Sequence, residues 1–363
     1  MYAATALVSG NDAHPALVDQ AVNQALARLS AQGAARASAL LLFLTPDFAR
    51  AGAAAVLTAS RAADCLQVAG GIGAGLFTED GWVLDRPAVA VLALAAPFGL
   101  ETAHGPEDGF PGLAYGSPDH LPGPGSWLGG VYSNTQAPLP LWQGGRLLAP
   151  GPLHLRLKGS RGHYAAAHGL RFLGEGATVT RCQGHDLTQV DGQPALDALL
   201  RRLPPDLRQR SPLPLHQLTA VLADSPPAAA LARQEAELVP LLTANGDRSL
   251  TLAAPLRPGR QLVWAIRQPL AAEQELRDRL AALAQEVAAP DFALVFSCIG
   301  RGPYFYGGED RDWLALKAQF PNLPLLGVYG SGQLLPCPKG RTLVHNTVLT
   351  ALFSHPSETA PRV

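Results

Sequence analysis

Cys298 closes an apolar run, in Phe296-Ser297-Cys298-Ile299-Gly300-Arg301-Gly302. A thiolate nucleophile at this place would need a base, and His345 is the candidate partner. The plainer reading is a small buried residue at a strand end. Gly-x-Ser-x-Gly, the usual hydrolase elbow, is absent. The histidines form no HExxH or HxH spacing, and Cys65, Cys182, Cys298 and Cys337 form no CxxC pair. Neither a structural zinc site nor a disulfide framework is expected. His345-Asn346-Thr347 opens an expected final strand, where successive side chains point to opposite faces. One of the pair would line a pocket while the other braces a loop, or His345 is simply a satisfied strand-end histidine.

Gly70-Gly71-Ile72-Gly73-Ala74-Gly75 invites a dinucleotide-binding reading. That fingerprint needs a helix opening directly after the glycines, whose N-terminus holds the pyrophosphate. Leu76-Phe77-Thr78-Glu79-Asp80-Gly81 follows instead, a strand and a turn. The dinucleotide reading fails.

The elements that must position these residues follow from periodicity. Ala3 to Val8 reads as a strand, and Asn11 or Asp12 offers a cap for a helix over 14–31, where Leu17, Val18, Val22, Leu26 and Leu29 recur at helical spacing. Ala39 to Leu44 reads as a strand buried on both faces. A helix to about Ser60, a strand over 65–68 and strands at 76–77 and 89–94 follow. Gly and Pro dominate from Gly99 to Pro152, so short strands and hairpins are expected there, through Gly129-Gly130, 141–145 and 153–157. Helices are expected over 195–203, 271–287 and 310–320, and strands over 250–256, 261–266, 292–297, 325–330 and 342–353, with a turn at Lys339-Gly340. The fold class is mixed α/β.

Leu41 to Thr45, a helix, the glycine-rich Val68 to Gly75 and the strand at Val89 echo Ala293 to Ser297, a helix, Leu325 to Gly332 and the last strand. Gly129-Gly130-Val131-Tyr132-Ser133 is a partial third copy. Two pseudo-duplicated lobes are expected, each a mixed sheet with flanking helices, meeting at the Gly-rich strands. The 363 residues divide into domains 1–203 and 204–363, with a joining segment over about 175–227.

The formal net charge is -1. The densest basic cluster, Arg201, Arg202, Arg208 and Arg210, has no aromatic platform beside it, so nucleic-acid binding is not expected. The N-terminus lacks a signal-peptide pattern and no apolar run is long enough to span a bilayer, so a cytoplasmic protein without membrane insertion is expected.

Asp291 to Gly302 resembles the strand-and-turn signature of FIST C-terminal domains. Leu325 to Gln333 is similar to their second signature, which usually ends in Gly-Glu, and His345-Asn346-Thr347 to their final His-Asn pattern. Val68 to Gly75 and Leu128-Gly129-Gly130 resemble the glycine-rich strands of FIST N-terminal domains. Thr178-Val179-Thr180 and Val190 to Ala195 resemble the segment joining the halves. Gln333 departs from the usual Glu. The resemblance implies a bacterial, intracellular sensory protein for a small ligand such as an amino acid. It would not be an enzyme, would need no cofactor, and would act through a separate output protein. It also implies the alternative of a haem-binding nitric oxide sensor, with His345 or His168 as axial ligand. A cysteine-dependent enzyme centred on Cys298 is the other alternative. The expected ligand-binding residues are Arg301, Tyr304, Tyr329, Ser331, Gln333, His345, Asn346, Gly71 and Gly73, with Arg301 pairing a ligand carboxylate.

Overall fold

The computed structural model describes residues 2–103, 110–123, 125–133, 139–287, 289–337 and 340–356. The chain forms two compact units, one of residues 1–168 with 273–363 and one of residues 169–272. It opens with β1 (Ala3–Ser9), α1 (Pro15–Ala31), β2 (Ala39–Leu44), α2 (Gly52–Ala62) and β3 (Val68–Ile72). The hairpin of β4 (Gly75–Thr78) and β5 (Gly81–Leu84) precedes β6 (Ala88–Leu94). Next come β7 (Gly99–Thr102), β8 (Gly112–Gly116), β9 (Trp127–Val131), the hairpin of β10 (Leu141–Gln143) and β11 (Arg146–Leu147), β12 (Leu153–Lys158) and β13 (Arg161–Ala167). α1 buries Val18, Ala21, Val22, Ala25 and Leu29, one stripe at helical spacing. His14, not Asn11 or Asp12, caps it, its Nδ1 accepting from the Ala16 N–H at 3.2 Å.

The smaller unit holds β14 (Leu170–Phe172), β15 (Ala177–Gln183), β16 (Asp186–Val190), β17 (Gln193–Pro194), α3 (Ala195–Arg202), α4 (Pro205–Arg208), β18 (Leu218–Ala223), α5 (Pro227–Ala232), β19 (Glu237–Ala244), β20 (Leu250–Leu252) and β21 (Gln261–Arg267). The strands β21, β15, β16, β20, β19 and β18 are neighbours in that order, and β18 pairs back with β21, closing an antiparallel barrel. Leu187, Leu222, Leu250 and Trp264 fill it together with Leu199 of α3. The expected joining segment, about 175–227, lies inside this unit, where β18 pairs with both β19 and β21. The compact units therefore follow a different division from the linear partition at 203/204.

The chain continues through α6 (Pro269–Glu286), β22 (Phe292–Cys298), α7 (Arg311–Gln319), β23 (Leu325–Gly330), the hairpin of β24 (Gly332–Cys337) and β25 (Gly340–Val344), and β26 (Val348–Ser354). The expected turn residue Lys339 lies outside the described residues.

The larger unit contains three six-stranded sheets with one topology. Sheet I runs β1-β6-β2-β3-β10-β11, sheet II β7-β12-β8-β9-β24-β25, and sheet III β13-β26-β22-β23-β4-β5. In each, the third and fourth strands are parallel and their other neighbours antiparallel. The expected duplication is thus a triplication. The partial copy at Gly129-Gly130 is not a hairpin turn; it is the strand β9 of a complete third sheet. Sheet II lacks counterparts of α1, α2, α6 and α7 among the described residues, which is why periodicity alone shows it as Gly/Pro-rich loop.

The hairpins are exchanged in a ring. The chain leaving β3 of sheet I builds the edge of sheet III as β4 and β5. The chain leaving β23 of sheet III edges sheet II as β24 and β25, and the chain leaving β9 of sheet II edges sheet I as β10 and β11. Register equates Leu40 with Ala293 and Val68 with Leu325. The second equivalence is the one read from the sequence, and the first is shifted from it by one residue.

Alternation along each strand sorts the core. In sheet I, Leu40, Leu42 and Leu44 face α1 and α2, while Leu41 and Phe43 join a central core shared by all three sheets. In sheet III, Ala293 and Val295 face α6 and α7, and Phe292, Leu294 and Phe296 face the centre. The repeated glycine has a steric cause. A β-carbon on Gly70 or Gly129 would lie 1.8 Å from the Leu42 or Ala114 carbonyl oxygen, with φ at +150° and +154°. In the first sheet β1 runs to α1 through residues 10–14. In the third, the 169–272 unit is inserted after β13 and runs into the first turn of α6.

Candidate functional site

One layer of the central core can be read straight from strand register. Phe43 pairs with Gly71 and Gly71 with Leu141 in sheet I. Phe296 pairs with Val328 and Val328 with Leu76 in sheet III. Tyr115 pairs with Gly130 and Gly130 with Gln333 in sheet II. Two copies end the layer with leucine; the third ends it with a carboxamide.

Gln333 has 0% exposure, and neither its Oε1 nor its Nε2 has a hydrogen-bond partner among the described residues. A buried amide in that condition costs about 1–3 kcal/mol. A β-carbon on its partner Gly130 would meet Phe296 at 2.9 Å and Tyr115 at 3.2 Å. Those two rings also line a small apolar cavity of about 20 Å³ on the shared core. Tyr115 is the other polar side chain of the layer. Burial holds its phenol far above the usual range, and the hydroxyl donates to the Ile72 carbonyl at 2.8 Å. The equivalent crossing carbonyls take backbone donors instead: Ala74 N–H donates to Tyr329 O, and Ser331 N–H to Val131 O, both at 2.8 Å.

Above this layer lie the carboxyl ends of β22 and β23. The Ser331 carbonyl is 2.8 Å from His345 Nδ1, and the Cys298 thiol points to the same oxygen at 3.7 Å. Ser331 Oγ donates to Val131 O at 3.2 Å. His345 and Asn346 lie in the break between β25 and β26, so they do not alternate on a strand as expected, and Asn346 adopts φ +56°. The Thr347 hydroxyl lies 3.0 Å from His168 Nδ1, and His168 N–H donates to Glu275 at 3.1 Å. Burial lowers the His168 pKa to about 4, with Glu275 opposing and Arg301 assisting.

Arg301 does not present its guanidinium to a ligand. It is 1% exposed, with Nε 2.8 Å and Nη2 3.2 Å from the two Asp312 oxygens, and Nη1 donates to the Ala167 carbonyl at 2.8 Å. The carboxylate it was expected to take from a ligand comes from α7. Tyr329 is fully buried and donates to Asp310, the cap of α7, whose carboxyl is pushed up to about 6 mainly by burial. Tyr304 is 69% exposed and bonds Asp85. Gly71 and Gly73 are packed against protein: β-carbons there would lie 2.5 Å from Leu141 and 2.4 Å from Val328.

Of the expected residues, the structure brings Ser331, Gln333 and His345 together along one crossing strand and its return. Arg301 and Tyr329 belong to the framework beneath α7. Sequence reasoning missed Asp310 and Asp312, and Asp310 alone carried a signal, as the residue before a helical run; His168 entered only as a haem-ligand candidate and Thr347 only as the end of the His-Asn signature. Cys298 is buried. Between the repeated sheets, where a pocket was expected, apolar side chains pack closely and line a cavity of about 20 Å³. Of the two histidines named as haem ligands, His168 is buried with its Nδ1 3.0 Å from the Thr347 hydroxyl, and His345 is exposed with its Nδ1 2.8 Å from the Ser331 carbonyl. A larger open cleft of about 440 Å³ lies elsewhere, lined by Phe110, His163, Tyr164 and Glu286 among others. No helix among the described residues is long and apolar enough to cross a membrane.

The chain is 29% identical over 236 residues to an uncharacterized protein of Mycobacterium bovis, and likewise to one of Mycobacterium tuberculosis. A second uncharacterized protein of Mycobacterium tuberculosis is 25% identical over 255 residues. Each match covers 62% of this chain and 60% of the relative's length. Residues 195–336 match the FIST C domain, a stretch that begins at α3 and ends within β24. Residues 195–336 of this chain are thereby identified as a FIST C domain.

Proposed function

We propose that this protein is a cytoplasmic sensory protein that binds a small ligand at the Gln333 layer and acts through a separate output partner, without catalysing a reaction on it. One observation carries the reading: a fully buried carboxamide with donor and acceptor both unpaired, at a position where the two equivalent sheets have Leu76 and Leu141. A core that keeps such a group at the expense of stability gains by it when a bound molecule completes the hydrogen bonds. The FIST C domain supports the same reading at the level of the family. Ser331 and His345, at the start of the crossing strand and on its return, are the polar groups that would meet the part of a ligand nearest solvent.

The test is a thermal-unfolding screen of small metabolites on the wild-type chain and on Gln333→Leu. The expected result is a compound that raises Tm in the wild type and not in the variant. If every stabilising compound acts equally on both proteins, the ligand lies elsewhere and the reading is wrong.

A further inference from the structure

We infer that the group bound at Gln333 is uncharged and presents a hydrogen-bond donor and acceptor side by side, as the edge of a primary amide or lactam does; this rests on the sensory reading above. A primary carboxamide offers an acceptor oxygen and a donor nitrogen in one plane. Both are unpaired in Gln333 among the described residues. A second amide edge of complementary order satisfies both with two parallel hydrogen bonds.

The surroundings exclude charge. Gln333 and Tyr115 are the polar side chains of the layer, and the Tyr115 hydroxyl is committed to the Ile72 carbonyl. The guanidinium of Arg301 is committed to Asp312 and the Ala167 carbonyl. A ligand carboxylate or ammonium would enter an apolar layer with no opposite charge to meet it, a heavily penalised arrangement. An amino acid bound by its charged ends is therefore a poor match.

The probes follow from that chemistry. Formamide, acetamide and 2-pyrrolidone are titrated against acetate and methylammonium at matched concentration and ionic strength, with thermal unfolding and calorimetry as readouts. The proteins are wild type, Gln333→Leu and Gln333→Glu. The expected result is saturable stabilisation of the wild type by the neutral amides, at least tenfold weaker in Gln333→Leu, and methylammonium favoured in Gln333→Glu. Saturable binding of acetate or methylammonium to the wild type, amides acting equally on wild type and Gln333→Leu, or no saturable binding at all would each overturn the inference. If a screened metabolite binds in a Gln333-dependent way while the amides do nothing, the ligand class fails and the sensory reading stands. If nothing depends on Gln333, both fail.

Discussion

Sheets I and III share strand order, register and a pair of covering helices, yet their carboxyl ends are built from different chemistry. In sheet I the end is small and local: Thr45 Oγ1 donates to Asp47 at 2.9 Å and accepts from the Ala88 N–H at 3.0 Å. In sheet III the equivalent place holds Cys298, Thr347 and His168, with the Arg301–Asp312 pair and the Tyr329–Asp310 bond alongside. One backbone plan tolerates both, because strand pairing and the central core set the scaffold while the ends are free to diverge. Polar groups were concentrated at one copy, and the exchanged strand leaving that copy carries Gln333. The asymmetry, not the shared plan, marks the site.

The comparison can be broken most sharply at Arg301. Arg301→Ala leaves Asp312 buried without its cation and should cost about 3–5 kcal/mol in urea unfolding. A loss near zero would mean that the guanidinium is not locked, and would restore it as a ligand-carboxylate partner. Transplanting the asymmetry is the next test. Leu76→Gln places a second amide in the equivalent position of sheet III and should cost about 2–3 kcal/mol. The reverse change, Gln333→Leu, removes the unpaired amide and should gain about 1–2 kcal/mol without ligand. If Gln333→Leu destabilises instead, the amide has a structural partner and the candidate site is lost.

Acid titration should separate the ends further. The folded His168 pKa, about 4, lies below its unfolded value, so its contribution to stability declines as pH falls through the window from about 6.5 to about 4. Asp310, raised to about 6, acts oppositely: stability it lends at low pH is lost as pH rises from about 3.8 through about 6. Asp310→Asn should therefore steepen the acid loss and His168→Gln should flatten it, as read by chemical denaturation at pH 4.5, 5.5 and 7. Parallel curves for wild type and both variants would show that these groups do not titrate as the burial implies. The smallest effect is expected from removing residues 169–272. Joining His168 to Glu273 through a short turn like that of residues 10–14 should leave far-UV circular dichroism consistent with three sheets. Collapse of that signal would mean that the smaller unit is needed for the larger to fold.

Much of the fold was legible from patterning. Ala39 to Leu44 could only be a buried strand, and the helices over 15–31 and 269–286 showed their stripes. The Rossmann-like glycines were correctly rejected, because β4 rather than a helix follows them. The third sheet was legible only as an echo, since periodicity reports helices best and β8, β9 and β12 are joined by Gly/Pro-rich segments. The site was legible in part. The signature residues drew attention to Gln333, Ser331 and His345, but also to Arg301 and Tyr329, because a motif names residue types and not their neighbours. Asp312 was invisible as the partner of Arg301, as the two lie on separate elements.

The sequence by itself determined the local pieces: which segments become strands or helices, where glycine is obligatory and that the plan repeats, since propensity, period and steric demand act over a few residues. Only the tertiary structure decided the number of copies, the ring of exchanged hairpins, the insertion after β13, and which polar groups are spent on one another. Those depend on pairings across tens to hundreds of residues, and whether a side chain is free or consumed is settled by what the fold places beside it.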